Sequence, residues 1–254
     1  MTEQQPETSD FIERDNEAVS GTHLAVPNQR LPPRLHLLPI HNRPFFPAQV
    51  MPVVVNEQPW AETIDLVANT EHKALSLFYI DQPVPASGEL TADMLPETGC
   101  AVRIHHAVRE DGKIQFIAQG LSRVKITKWL SKKPPYLVEV EYPTTASDER
   151  DEVRAYAMAL INAIKELLPL NPLYSEELKN YLNRFSPNEP SPLSDFAAAL
   201  TSAKSGELQD VLNTIPVLRR MEKVLVLLKK EIDVARLQGE ISAEVNRSIS
   251  AHQR

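Results

Sequence analysis

Ala101-Val-Arg-Ile-His-His-Ala-Val-Arg-Glu-Asp-Gly-Lys-Ile-Gln-Phe-Ile-Ala118 decides how the first half of the chain folds. Ala101 to Val108 is rich in β-forming residues, and Ile114 to Ala118 is a second such run. Between them lies Glu110-Asp-Gly-Lys113. Asp-Gly supplies the positive φ angles that a tight, right-twisted hairpin needs. Two antiparallel strands are therefore expected, with Gly120 as a bend or bulge beyond the second.

Working outward, Val124-Lys-Ile126 and Tyr136-Leu-Val-Glu-Val140 read as further strands, and Lys73 to Ile80 as a buried one. Pro83 to Thr98 carries Pro, Ser, Gly and acids and reads as a long loop. Upstream, His36-Leu-Leu-Pro-Ile40 and Gln49 to Val55 are apolar runs. They flank His41-Asn-Arg-Pro-Phe-Phe-Pro47, whose prolines forbid a helix. Pro59-Trp60 opens one short helix, with Trp60, Ile64 and Val67 on one face. Six or so short strands and one helix predict a compact, partly closed β structure over residues 35–143.

At Pro143-Thr-Thr-Ala-Ser147 the apolar period changes from two to 3.6. Ser147 is the expected cap, with Asp148 and Glu149 suiting a helix N-terminus. Val153, Tyr156, Leu160, Ile164 and Leu167 form the stripe of that helix, which Pro169 and Pro172 end. Ser175 is expected to cap a short helix through Tyr181. Ser191-Pro192 opens another over Leu193 to Ala203, and Gly206 separates it from Glu207–Asn213. Residues 217–254 read as one continuous helix of roughly 57 Å, with Leu218, Met221, Leu225, Leu228 and Ile232 in one stripe. The stripe drifts to Leu237, Ile241, Val245 and Ile249. A bundle of this size cannot cover such a rod. The end at His252-Gln-Arg254 carries no glycine cap, which reads as a cut inside a longer protein, with a frayed natural terminus as the alternative.

Residues 1–34 are polar and aperiodic, with Glu3, Glu7, Asp10, Glu13, Asp15 and Glu17. They read as a disordered acidic tail, or else a regulatory arm, and not as a secretory signal. The expected class is thus α+β: a β domain at 35–143, then a helical bundle at 147–254 ending in one long helix.

Composition narrows the chemistry. A net charge of −7 argues against nucleic acid as a partner. No run approaches the roughly 18 apolar residues of a membrane span. The single cysteine, Cys100, rules out an internal disulfide, holds no thiol pair for a metal, and fits a reducing cytoplasm. Seven glycines against 21 prolines leave little room for phosphate loops; no Walker loop, G-x-S-x-G elbow or H-E-x-x-H occurs. His105 and His106 are adjacent in a strand and point to opposite faces, so no metal site is expected of them. No catalytic, metal or cofactor-binding residue is expected in this chain.

Two features could bind. Arg43, Pro44, Phe45, Phe46 and Met51 are the candidate substrate-binding set: an aromatic–methionine patch suits unfolded polypeptide. The alternative is that Phe45 and Phe46 close the bottom of the β core. Arg123, Lys125, Lys128, Lys132 and Lys133 could hold an anion, but a solvated charged face is the expectation.

These residues resemble the N-terminal region of Lon-type ATP-dependent proteases. Leu38-Pro-Ile-His-Asn-Arg-Pro-Phe-Phe-Pro-Ala-Gln-Val-Met-Pro52 is similar to the family's opening strand–loop–strand. Gly99-Cys-Ala-Val-Arg-Ile104, Asp111-Gly112 and Gly120-Leu-Ser-Arg-Val-Lys-Ile126 resemble its later strands and G-x-x-R turn. Arg219-Arg-Met-Glu-Lys-Val-Leu-Val-Leu-Leu-Lys-Lys-Glu-Ile232 resembles the helix leading to its ATPase module. His41 stands where the family has arginine, and Pro44 where it has an aliphatic residue. The resemblance implies a PUA-like β domain that recognises unfolded or damaged proteins and helps assemble a hexamer. It also implies a parent enzyme using ATP and Mg, with a Ser–Lys dyad beyond residue 254. A stand-alone PUA-like binder of RNA or a small ligand is the other reading.

Overall fold

The computed structural model describes residues 31–144, 150–171, 180, 182–183 and 185–252. The chain divides into Met1–Leu31 and Pro32–Arg254, and the architecture below is that of the second unit. The expectations placed on residues 1–30, on the Ser147 cap, and on Ser175–Tyr181 (of which only Asn180 is described) lie outside the described residues.

Six strands form one mixed sheet: β1 (Arg34–Ile40), β2 (Val50–Asn56), β3 (Ala74–Tyr79), β4 (Gly99–Glu110), β5 (Lys113–Ser131) and β6 (Leu137–Glu141), in the order β2-β5-β4-β3-β1-β6. The strands expected at 114–118 and 124–126 are one strand, β5, of 19 residues. Its first half pairs with β2 (Val53 opposite Phe116) and its second half with β6 (Trp129 opposite Val138). Because β6 also pairs with β1, the sheet closes on itself through β5, while among the described residues no strand pairs with the other edge of β2. Register shifts at Ala101/Val102, His105/Val108 and Ile126/Lys128 mark the bulges that let so long a strand curve. The hairpin turns at Asp111-Gly112, both with positive φ, as Asp-Gly predicts.

Alternation along β5 explains the first core. Ile114, Phe116 and Ala118 point inward and meet Leu37, Leu75, Phe78, Val102 and the α1 (Glu57–Ala68) residues Trp60, Ile64 and Val67. After Gly120 both Arg123 and Val124 are buried. Neighbours in a strand point to opposite faces, and Val124 faces the sheet's core. Arg123 must therefore face the other side, where the helices lie.

The helices are α2 (Asp151–Leu167), α3 (Pro190–Leu200), α4 (Ser205–Asn213) and α5 (Val217–His252). Asp151 and Glu152 in the first turn of α2 complement its dipole. Val153, Leu160, Ile164 and Leu167 of α2 join Phe196, Leu208, Val224 and Leu228 in a second core. The break before α4 falls at residues 201–204, so Gly206 lies in its first turn rather than between two helices. On α5 the buried face runs Val217, Arg220, Met221, Val224, Leu228 and Ile232, with Leu218 and Leu225 at its margin. From Arg236 to Ser250 every residue is exposed, including Leu237, Ile241, Val245 and Ile249. Among the described residues no helix is long and apolar enough to cross a membrane.

Candidate functional site

The loop between β1 and β2 folds back onto β5. Ala48, at φ +62°, donates its N–H to the Gly120 carbonyl (3.2 Å), and the Gly120 N–H donates to the Gln49 carbonyl (2.8 Å). A Cβ at Gly120 would lie 2.2 Å from the Phe46 carbonyl oxygen, so only glycine admits this close approach. The Gln49 side-chain oxygen takes the Phe46 N–H (3.0 Å).

This docking settles the orientation of the two phenylalanines. Phe45 is 4% exposed in the sheet's core and Phe46 is 0% exposed among the helices. The expected exposed aromatic patch is therefore corrected: the loop passes between two cores, and its consecutive side chains fill one each. Pro44 is buried as well. Arg43 reaches the C-terminal end of α3, where its Nη2 donates to the Thr201 and Ala199 carbonyls (3.1 and 3.4 Å). A cation there meets the negative end of the helix. Ser205 adds a hydroxyl bond to the Asn42 carbonyl (2.9 Å).

What the expected set leaves at the surface is Met51, 37% exposed, beside Val50 and Val54 at 59% and 56%. A groove of about 320 Å³ runs between β2 and the Pro39–Phe45 segment, with Trp60 also contributing. Arg43, Pro44, Phe45 and Met51 all line it; Phe46 does not.

A second polar assembly, not expected above, joins β5 to the helices. Arg123 grips Asp195 of α3 with both terminal nitrogens (2.8 and 2.6 Å), and its Nε donates to the Leu212 carbonyl (2.9 Å). All of this is buried, so Arg123 leaves the solvated basic face expected of it. Lys128, Lys132 and Lys133 stay exposed, and Lys125 pairs with Glu97. Arg220, 0% exposed, donates to the Ser191 hydroxyl (2.7 Å) and holds its Nη1 3.8 Å from Asp195. Burial lowers the Arg220 guanidinium to about 10, partly offset by Asp195, so it remains charged at neutral pH. The signal was present in the sequence: Arg220 falls on the buried stripe of α5, and Asp195 sits among Leu193, Phe196 and Ala197.

Cys100 is fully buried, and desolvation pushes its thiol far above the ordinary range. His105 bonds the Gln119 side chain (3.1 Å). Among the described residues no group of three or more His, Cys, Asp or Glu gathers in a metal-binding arrangement.

The profile of the ATP-dependent protease La (LON) substrate-binding domain matches residues 34–230. The chain belongs to the Lon family. Lon protease 2 of Hydrogenovibrio crunogenus is 38% identical over 266 residues, covering 97% of this chain and 30% of that protein. Lon protease of Magnetococcus marinus is 38% identical over 268 residues, covering 100% and 33% respectively. The chain thus spans about a third of the length of these Lon relatives. The N-terminal domain of a Mycobacterium avium complex Lon protease superposes with a TM-score of 0.62 at 20% identity, covering 77% of this chain and 98% of that domain. At that identity the match speaks for the fold: α+β, with the Lon N-terminal architecture. Seen as a Lon substrate-binding domain, the Gly120-x-x-Arg123 segment, which lies within β5 and is not the turn expected, has a structural role. Gly120 seats the loop that carries Phe46, and Arg123 ties the sheet to α3.

Proposed function

We propose that this chain is the non-catalytic part of a Lon-type ATP-dependent protease that takes hold of unfolded or damaged proteins, and that it does so at the groove beside β2. The observation that carries this reading is the pair of exposed apolar side chains, Met51 and Val54, that line that groove, with exposed Val50 next to them on β2. A folded protein has its apolar side chains inside and offers little to such a surface; an unfolded one offers many. ATP, Mg and the peptidase chemistry belong, on this reading, to the remainder of the enzyme, working in the cytoplasm. The two cores support a division into a β part (35–143) and a helical part (147–254), with Phe46 crossing between them.

The test is binding of a reduced, carboxymethylated protein against its folded parent, followed by fluorescence anisotropy without ATP. The unfolded form binds and the folded form does not. Met51→Asp weakens binding by about tenfold or more, the order expected for losing one buried methionine contact. Because Met51 is exposed, the melting temperature stays where it was. Equal affinity for both forms would overturn the reading. RNA binding with a steep salt dependence would favour the stand-alone module instead.

The exposed half of α5 suits contact between subunits of a ring. Its stripe at Leu237, Ile241, Val245 and Ile249 is exposed among the described residues. Ile241→Lys is expected to leave unfolding unchanged within about 0.5 kcal/mol, as at other surface positions, and to shift sedimentation toward smaller species. An unchanged sedimentation profile counts against α5 as an assembly element.

A further inference from the structure

We propose that the groove takes its polypeptide as an added β-strand, laid between the free edge of β2 and the upper half of β1. This rests on the functional reading above and specifies how the occupant is held.

The direction of each backbone group follows from the ladder. Gln49 accepts from Gly120, and Glu57 donates to Gly112. In an antiparallel pair such groups recur every second residue, so residues 51, 53 and 55 turn their backbone groups toward β5. Val50, Pro52, Val54 and Asn56 turn theirs away, and among the described residues no strand pairs with that edge. On β1, Pro33 accepts from Val140 and Leu37 donates to Tyr136, so the odd residues face β6. The β6 register ends at His36 opposite Leu137. The Pro39 carbonyl therefore points past the end of β6, into the side where the groove lies.

Pro39 and Pro52 both line the groove, and neither has an N–H. Direct zipping of β1 onto β2 lacks donors at these two places, which keeps the slot open and leaves carbonyl acceptors along it. An extended chain supplies the missing N–H groups, and its carbonyls can meet the Val54 N–H. A helix cannot, because its backbone groups are already used internally. Side chains alternate to match: Met51, Val53 and Val55 share one face of β2, and Val50, Pro52 and Val54 the other. Charge narrows the occupant further. Among the described residues the lining contains no carboxylate and one formal charge, Arg43, which is held on the Thr201 and Ala199 carbonyls; the fitting strand is therefore apolar, with acidic rather than basic flanks.

The probe is a labelled peptide of about nine residues, alternating valine and threonine with aspartate at each end, titrated by anisotropy. Methylating alternate backbone nitrogens removes hydrogen bonds without touching side chains. It is expected to weaken binding about tenfold or more. In the protein, Val54→Pro removes the edge donor, and its backbone faces away from β5, so the ladder is kept. Val54→Ala keeps the donor and trims the side chain. The proline variant is expected to bind about tenfold more weakly than the parent, and the alanine variant, which loses only side-chain contact, to fall between the two. Lysine in place of the terminal aspartates is expected to weaken binding as well.

Methylated peptide binding within about threefold of its parent, a larger loss from alanine than from proline, or no binding of the unmodified peptide would each overturn strand addition. Should Val54→Pro fail to melt cooperatively, the methylated peptides against the unaltered chain still decide. The carboxymethylated protein is run in parallel. If it binds while methylation has no effect, strand addition alone fails; if it does not bind, the functional reading fails with it.

Discussion

Replacing Asp195 with leucine is expected to remove about 3–5 kcal/mol of stability, the cost of breaking a buried pair from one side. The carboxylate sits between two buried guanidinium groups, gripped by both terminal nitrogens of Arg123 and lying 3.8 Å from Arg220. Without it, two buried cations remain with no carboxylate between them. The arithmetic is already unbalanced: two positive charges face one negative, and Nε and Nη1 of Arg220 make no hydrogen bond among the described residues. Urea unfolding of Asp195→Leu, Arg123→Met and the double variant gives the coupling by a thermodynamic cycle. The double variant is expected to be more stable than Asp195→Leu alone, since it removes one stranded charge together with its partner. Because the pair joins β5 to α3, amide exchange in Asp195→Leu should rise in both the sheet and the helices. A loss below about 1 kcal/mol would mean that the cluster is hydrated and not a dry ion pair.

Phe46 carries the second large effect. It is fully buried, and it belongs to the helical core although its own segment docks on the sheet. Phe46→Ala is expected to cost about 3–5 kcal/mol, the usual range for an emptied aromatic site. Phe46→Asp is expected to do worse, because the carboxylate would be buried with no partner. Both are to be read as lost cooperativity or a lowered urea midpoint. A Phe46→Asp chain that melts like its parent would return the side chain to the surface and undo the two-core description. Substrate binding is for this reason better probed at Met51 than at Phe46.

Local patterns carried well through this molecule. Asp111-Gly112 turns the hairpin because only positive φ closes it with the right twist. Trp60, Ile64 and Val67 face inward from α1 as their spacing requires. The single long helix follows from an unbroken apolar period with no proline after Pro216. The family, too, was legible, since its motifs stand in order along the chain and its profile spans residues 34–230.

The site was legible only as a segment. His41-Asn-Arg-Pro-Phe45 does border the groove, but sequence could not tell that the two aromatic rings enter separate cores, Phe45 behind the groove and Phe46 among the helices. Nor could it join residues 114–118 and 124–126 into one strand, because Gly120 and Ser122 interrupt the apolar alternation that runs through Ile114, Phe116, Ala118 and Val124.

Alone, the order of residues determined which segments are strands or helices, which prolines interrupt them, and which family the chain belongs to, because each of these depends on neighbours within a few positions. The tertiary structure decided that Arg123 meets Asp195 across 72 positions, that Gly120 must be bare to seat the Phe46 carbonyl, and that β2 has an open edge among the described residues. Those outcomes depend on which elements come together in space. A charge, a missing Cβ or an unpaired amide acquires its energy only from what is packed against it.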